Sequence, residues 1–398
     1  MKKMKSTNPK ATYIILRTPR PATREIWRGG ARRMATVEAE PTTVQVEVGD
    51  LNKRDLRALG NEANVAAIAP SMPMKLVPPV GKAARPAAGA TAWGITAVGA
   101  DTSPFTGDGI VVAVLDTGID ASHPAFAGVT LVRKNFTTEA VGDLHGHGTH
   151  CAGTIFGRDV SGTRIGVARG VKRALIGKVL GAGGGSSDRI ASAINWAVEN
   201  GAHVISMSLG IDFPGWVKEL EEGGLPTQAA VTRALEDYRA NVMLFERMAG
   251  FIRARGLFAQ PTLIIAAAGN ESDRPTYEIA VAPPAVSEGL ISVAALGQAT
   301  GGLRVAPFSN TFANISGPGV AVTSAKLGGG LTALSGTSMA TPHVAGVAAL
   351  WAEKIKAGAP LTGGEWTNRL IASGTTVGLA AGFDPTDIGA GLVRAPQP

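Results

Sequence analysis

Four stretches of this chain are predominantly apolar, and each has a polar or glycine residue at or within two positions of its end. The first is Gly109-Ile110-Val111-Val112-Ala113-Val114-Leu115, ending in Asp116-Thr117-Gly118. The others are Ala174–Leu180, His203–Ser208 and Thr262–Ala267. A strand that is apolar at every position, not at alternate ones, has no face for water, so it belongs in a sheet covered on both sides. Helical segments lie between and after these runs, at His147–Phe156, Asp188–Asn200, Thr227–Arg255 and Ser338–Lys356. Strands alternating with helices predict a doubly wound, mostly parallel α/β sheet with helices on both faces. Such sheets place their sites at the C-terminal ends of the strands, where the polar residues fall here.

The first 92 residues read differently. Residues 11–17 and Thr43–Val48 read as strands, the second with a period of two. Asp50 is placed to cap a short helix from Leu51 to Leu59 that ends at Gly60, and a further helix is expected near Glu25–Ala35. Val65–Ile68 and Met74–Val77 read as further strands. The organisation expected is a small α+β domain over 1–77, a Pro-, Gly- and Ala-rich linker over 78–92, and a catalytic-sized domain over 93–398. Within the large domain, Val231, Leu235, Tyr238, Val242, Phe245, Met248 and Ile252 recur every three to four residues. They predict an insertion helix over 227–255, packed on the sheet or presenting a lid or partner surface.

The formal charge of +7 is concentrated at the start, where residues 1–89 hold 16 Lys and Arg against 7 Asp and Glu. Those basic residues are scattered without interleaved aromatics, so the charge makes no case for nucleic acid. Cys151 is the one cysteine, which excludes an intrachain disulfide and fits a reducing compartment. The basic start lacks the apolar core and small-residue cleavage site of a signal peptide. No run approaches the roughly 18 apolar residues of a membrane span. The expectation is a cytoplasmic protein with no membrane partner, with a non-standard secretion route left open.

Ser338 follows Gly336-Thr337 and opens an apolar helical run, so its hydroxyl sits at a helix N-terminus. It is either a helix cap or a nucleophile beside backbone N–H groups that favour negative charge. A nucleophilic serine needs a base, and the base an orienting carboxylate. Three histidines stand in Asp143-Leu144-His145-Gly146-His147-Gly148-Thr149-His150-Cys151. They could suggest zinc, but the His-Glu-x-x-His pattern is absent. Ala266-Ala267-Ala268-Gly269-Asn270 ends the fourth apolar run with a neutral amide able to donate to an oxyanion. The glycine run Gly181-Ala182-Gly183-Gly184-Gly185 resembles a nucleotide loop only weakly, lacking its third glycine.

Three stretches carry a resemblance. Val114-Leu115-Asp116-Thr117-Gly118-Ile119-Asp120, His147-Gly148-Thr149-His150-Cys151-Ala152-Gly153 and Gly336-Thr337-Ser338-Met339-Ala340-Thr341-Pro342, in that order, resemble the signature motifs of the subtilisin-like serine proteases. The resemblance runs from about Trp93 to Leu392. It implies a serine endopeptidase with Asp116 as orienting acid, His147 as general base, Ser338 as nucleophile and Asn270 as oxyanion donor. His145 and His150 then flank the base. Leu180, Gly181, Gly183, Ser208, Leu209, Gly210, Ala267 and Gly269 fall on the family's substrate-binding segments, which pair with an extended peptide as an added strand. The lining expected for the first pocket is small and uncharged, implying a broad or apolar preference, with Glu271 adding some attraction for a basic side chain.

The N-terminal unit resembles the family's inhibitory propeptide, implying a self-processing zymogen cut within 78–92; the alternative is a permanent accessory domain. No cofactor is required for the chemistry. Structural calcium is weakly supported, because Ala125-Phe126 follows His123-Pro124 where a ligand carboxylate is expected, and the loop at Asp159 keeps one acid. Cys151 reads as a packing residue, or as a source of thiol sensitivity. The competing functional reading is a catalytically silent regulatory or binding protein on the same fold.

Overall fold

The computed structural model describes residues 10–18, 44–81 and 91–398. The helix expected near Glu25–Ala35 and residues 82–90 of the expected linker lie outside these. The first elements are β1 (Ala11–Arg17), β2 (Gln45–Leu51), α1 (Lys53–Leu59), β3 (Val65–Pro70) and β4 (Pro73–Leu76). There follow α2 (Trp93–Ala97), β5 (Val111–Asp116), β6 (Thr130–Asn135), α3 (His147–Phe156), β7 (Arg173–Lys178), β8 (Gly185–Ser186) and α4 (Ser187–Glu199). Next are β9 (Val204–Met207), β10 (Leu209–Ile211), α5 (Phe213–Glu222), α6 (Thr227–Arg255), β11 (Leu263–Ala267), β12 (Ile291–Ala299), β13 (Gly302–Val305) and β14 (Ile315–Pro318). The chain closes with β15 (Val322–Ala325), β16 (Leu331–Leu334), α7 (Thr337–Gly358), α8 (Gly363–Ala372) and α9 (Pro385–Ile388).

The main sheet runs β6-β7-β5-β9-β11-β12, with β13 and β14 both on β12. All of its pairings are parallel except β12 with β13. This is the α/β sheet the apolar runs predict. Along β5, Val112 and Val114 face one apolar core while Ala113 and Leu115 face the other. Both parities are therefore apolar, which is why the run has no polar alternation. Helices α3 and α7 fill the first core, and α4 and α6 cover the second.

The N-terminal unit is a three-stranded antiparallel sheet in the order β2-β1-β3. Its Ile14, Leu16 and Ala69 belong to the second core, so the unit shares buried surface with the large domain. Two expectations need correction here. Asp50 does not cap α1: it lies in β2 and accepts from Thr12 Oγ, while Asn52 Oδ1 accepts from the N–H groups of Arg54 and Asp55. The strand expected at Met74–Val77 is not part of the small sheet. Instead β4 lies between β10 and β8, antiparallel to both, inside the large domain's own segments.

The insertion helix α6 has the expected bounds, but its buried seam is shifted by one position. Ala230, Ala234, Asp237, Asn241, Leu244, Phe245, Met248 and Ala249 are buried, whereas Leu235 is 55% exposed. The rotation has a polar cause. Asn241 Nδ2 donates to Pro70 O, and Asp237 accepts from Trp216 Nε1 of α5 and from Arg233. The helix thus turns its polar seam toward main chain and an indole N–H that apolar residues could not satisfy.

Candidate active site

One strand end and two helix starts converge. Asp116 is the last residue of β5, His147 the first of α3, and Ser338 the second of α7. His147 Nδ1 and Asp116 Oδ1 are 2.8 Å apart, and both side chains are buried. A carboxylate can only accept here, so Nδ1 donates and Nε2 is left as the basic nitrogen. That Nε2 is buried with no hydrogen-bond partner among the described residues. Burial alone would lower the His147 pKa, but the Asp116 charge and hydrogen bond outweigh it and hold the imidazole well above its ordinary value. Burial pushes the neighbouring Cys151 thiol up, so it stays protonated and Asp116 is the anion that matters.

The start of α3 is fixed by Asp143, which lies outside the three signature stretches. Asp143 Oδ1 accepts from the N–H groups of His145 and Gly146 at 2.9 and 2.8 Å, and from Thr117 Oγ at 2.9 Å. Its Oδ2 accepts from Thr149 N and Thr149 Oγ at 2.9 and 2.6 Å. Burial would raise its pKa, but these donors together hold it below the usual carboxylate range. Thr117 Oγ in turn accepts from Gly148 N at 3.0 Å, tying the helix to the end of β5. Gly148 is required there, since a Cβ would stand 2.2 Å from Gly118 O. The legible signal was an acid four residues before the helix start, near enough to reach the free N–H groups of its first turn although Gly146 holds the cap position itself.

Pro342 lies inside α7, one turn after Ser338. Having no N–H, it leaves Ser338 O without its helical donor. Ser208 Oγ and Cys151 Sγ supply that bond instead, at 3.2 and 3.4 Å. Cys151 is fully buried, so packing and a weak hydrogen bond account for it. Asn270 Oδ1 accepts from both Thr337 N and Thr337 Oγ, at 2.8 and 2.9 Å. This fixes the amide so that Nδ2 points into the cleft. Gly269 N donates to the same Thr337 hydroxyl at 3.2 Å.

The cleft is filled by the chain's own β4 and the residues after it. Leu209, Gly210 and Ile211 stand opposite Leu76, Lys75 and Met74, and Val77 N donates to Ser208 O at 3.4 Å. The Val77 side chain is buried, and a Cβ on Gly210 would meet it at 3.9 Å. Ser338 Oγ donates to Val77 O at 2.8 Å, and Asn270 Nδ2 donates to Pro78 O at 2.8 Å. Beyond them, Val80 N donates to Ser335 O at 2.7 Å.

Of the remaining expected residues, Leu180 donates its N–H to Asp116 O, and Ala267 ends β11, buried. Gly181 and Gly184 bond to each other in a tight turn, and a Cβ on Gly183 would meet nothing within 4 Å. The pairing with β4 is made by Gly185 and Ser186, further along than expected, because the turn carries Gly183 away from the tail. His145 is exposed beside His147, and His150 is buried with Nε2 on Val322 O.

Among the described residues, the one group of three close side-chain metal ligands is Asp116, His147 and Cys151. Two of its three donors are nitrogen and sulfur, unlike the oxygen set calcium takes. At the first place expected for calcium, His123 Nε2 is bonded to Gly330 O and the neighbouring Asp120 carboxylate accepts from Ser122 and from Gly328 N; at the second, Asp159 is exposed.

The sequence profile described as the Subtilase family matches residues 107–378, well over half of the chain. The chain belongs to the subtilase family. It is therefore a serine-type endopeptidase. It is 34% identical over 356 residues to the thermostable alkaline protease of Halalkalibacterium halodurans, covering 87% of this chain and 81% of that protein. It is 36% identical over 254 residues to the major intracellular serine protease of Bacillus subtilis, covering 61% and 68%. The M-protease of Shouchella clausii is 35% identical over 313 residues, covering 76% and 68%. No described helix is long and apolar enough to cross a membrane.

Proposed function

We propose that this subtilase cuts proteins or peptides through an Asp116-His147-Ser338 triad, and that it is made as a zymogen whose N-terminal unit lays a substrate-like tail through the site. In its deprotonated form His147 accepts the Ser338 Oγ proton on Nε2 as that oxygen attacks the carbonyl carbon, so activity rises as pH passes the raised His147 value. Asn270 Nδ2 and the Ser338 N–H hold the oxyanion. His147 returns the proton to the leaving amine, and water, activated by the same nitrogen, releases the acyl group. Asp116 holds the imidazole in the tautomer this needs.

The observation that carries the reading is the tail itself. An extended segment of this chain pairs with two edges of the cleft as a peptide substrate would, and brings the Val77 carbonyl to the Ser338 hydroxyl. Its small, buried Val77 stands where the residue before the attacked bond of a substrate would, which supports an apolar preference there. The tail is also held wrongly for reaction. Ser338 gives its hydrogen to Val77 O and not to His147, and Asn270 donates to Pro78 O, one residue beyond. The Val77 carbonyl oxygen therefore lies on the nucleophile and outside the oxyanion site. On this reading residues 1–77 dock and inhibit, and processing falls within 78–92.

Intact-mass analysis of the purified chain beside Ser338→Ala tests this. The parent shortens to a species beginning within or just after 78–92, and the variant stays full length. A parent that hydrolyses peptides while remaining full length would refute the zymogen part.

A further inference from the structure

We propose that Asp212 and Glu271 form a subsite for a basic side chain on the third substrate residue before the attacked bond; this rests on the endopeptidase reading above. The tail shows what sits there. Val77 is the residue whose carbonyl meets Ser338, and the register places Lys75 opposite Gly210, two residues earlier. Lys75 Nζ stands 3.3 Å from Asp212 Oδ1 and 3.8 Å from Glu271 Oε1.

Both carboxylates are held by partners other than the lysine. Asp212 caps α5, its Oδ1 accepting from Gly215 N at 3.3 Å. Glu271 Oε2 accepts from the buried Asn310 Nδ2 at 2.9 Å, which leaves Oε1 for the lysine. Neither acid needs to be ordered when a cation arrives, which removes part of the usual entropic cost of a surface pair. A substrate strand in the same ladder carries its third side chain to the same place, because strand register fixes which residue faces which. On this proposal Glu271 serves the third position through Oε1.

The three side chains are 36%, 33% and 35% exposed, so the selection is modest and sensitive to salt. Two such pairs give a preference of about 3- to 10-fold in kcat/KM. The test uses the active preparation and peptides ending Met-Xaa-Leu-Val before a reporter amide, with Xaa as Lys, norleucine or Glu. Lys should exceed norleucine by that factor and Glu should fall below it. The Lys-to-norleucine ratio should shrink in Asp212→Asn and in Glu271→Gln, approach unity in the double variant, and shrink in concentrated salt. Either single variant suffices should the other fail to fold. Hydrolysis of all three peptides at like rates would overturn the subsite alone. If none is cut, the endopeptidase reading falls and the subsite with it.

Discussion

The grip of the tail can be weakened at a residue that leaves with it. Met74 is 2% exposed and belongs to the apolar cluster that includes Leu180, Leu209 and Ile211. Once the tail has left, residue 74 touches nothing in the cleft, so truncating it acts on the docked state alone. Removing a buried Met side chain down to Ala costs about 2–5 kcal/mol. At about 1.4 kcal/mol per tenfold, the fraction of molecules with an open cleft rises by about 30-fold to 3000-fold. Freshly purified full-length Met74→Ala should therefore hydrolyse a short peptide faster than full-length parent by a factor in that range. Intact mass confirms that the chain is uncut during the measurement, and each rate is normalised to the activity after complete processing. Met74→Leu nearly conserves volume and should change the rate far less, by a cost under about 1.5 kcal/mol. Equal initial rates for parent and Met74→Ala would refute the view that β4 occupies the cleft as an inhibitor.

Asn270→Ala should reduce kcat by about 10²–10³, a magnitude carried over from subtilisin itself, with little change in KM, read from steady-state kinetics of a peptide amide. Asp143→Asn exposes buried donors to an NH₂ group and loosens the start of α3; a drop of about 1–3 kcal/mol in urea unfolding is expected. Its kcat should fall by about 10²-fold through misplaced His147. Burial lowers the pKa of His150 to about 3 and those of His203 and His343 to about 4. The unfolded chain takes up those protons first, so stability falls as pH drops from about 6.5 toward 4.5, at about 1.4 kcal/mol per pH unit for each histidine. His147 has the opposite sign: its contribution is full below the unfolded value of about 6.5 and is lost as pH rises from there through its raised folded value. Urea titrations of the Ser338→Ala chain across this range check the slope, and a flat profile would contradict it.

The sheet was legible because its strands are apolar on both faces, a pattern a half-exposed strand does not produce; the buried helix α7 is apolar all round too, and its greater length sets it apart. The convergence of Asp116, His147 and Ser338 was legible through motif order, since each stands at the end of an element the pattern defines. What stayed hidden depended on partners distant in sequence. Met74–Val77 has the composition of a strand, but nothing in it says that its neighbours are Leu209–Ile211 and Gly185–Ser186. Asp237 and Asn241 lie on the buried side of α6 because Trp216, Arg233 and Pro70 O satisfy them, and a hydrophobic count places them on the outside. The cap of α1 moved from Asp50 to Asn52 because pairing with β1 extends β2 through Leu51. Asp143 went without a role because a cap is defined by the N–H groups it receives, and those appear only once α3 is built.

The central claim is that Ser338 is the nucleophile, activated by His147 and Asp116. A fluorophosphonate reagent tests it most directly, applied to the active preparation and followed by peptide mass mapping. One stoichiometric adduct is expected on the peptide containing Ser338, with loss of hydrolysis in step with labelling and no adduct in His147→Ala or Asp116→Ala. Hydrolysis that persists in Ser338→Ala, or an inactivating adduct on a different serine, would contradict it.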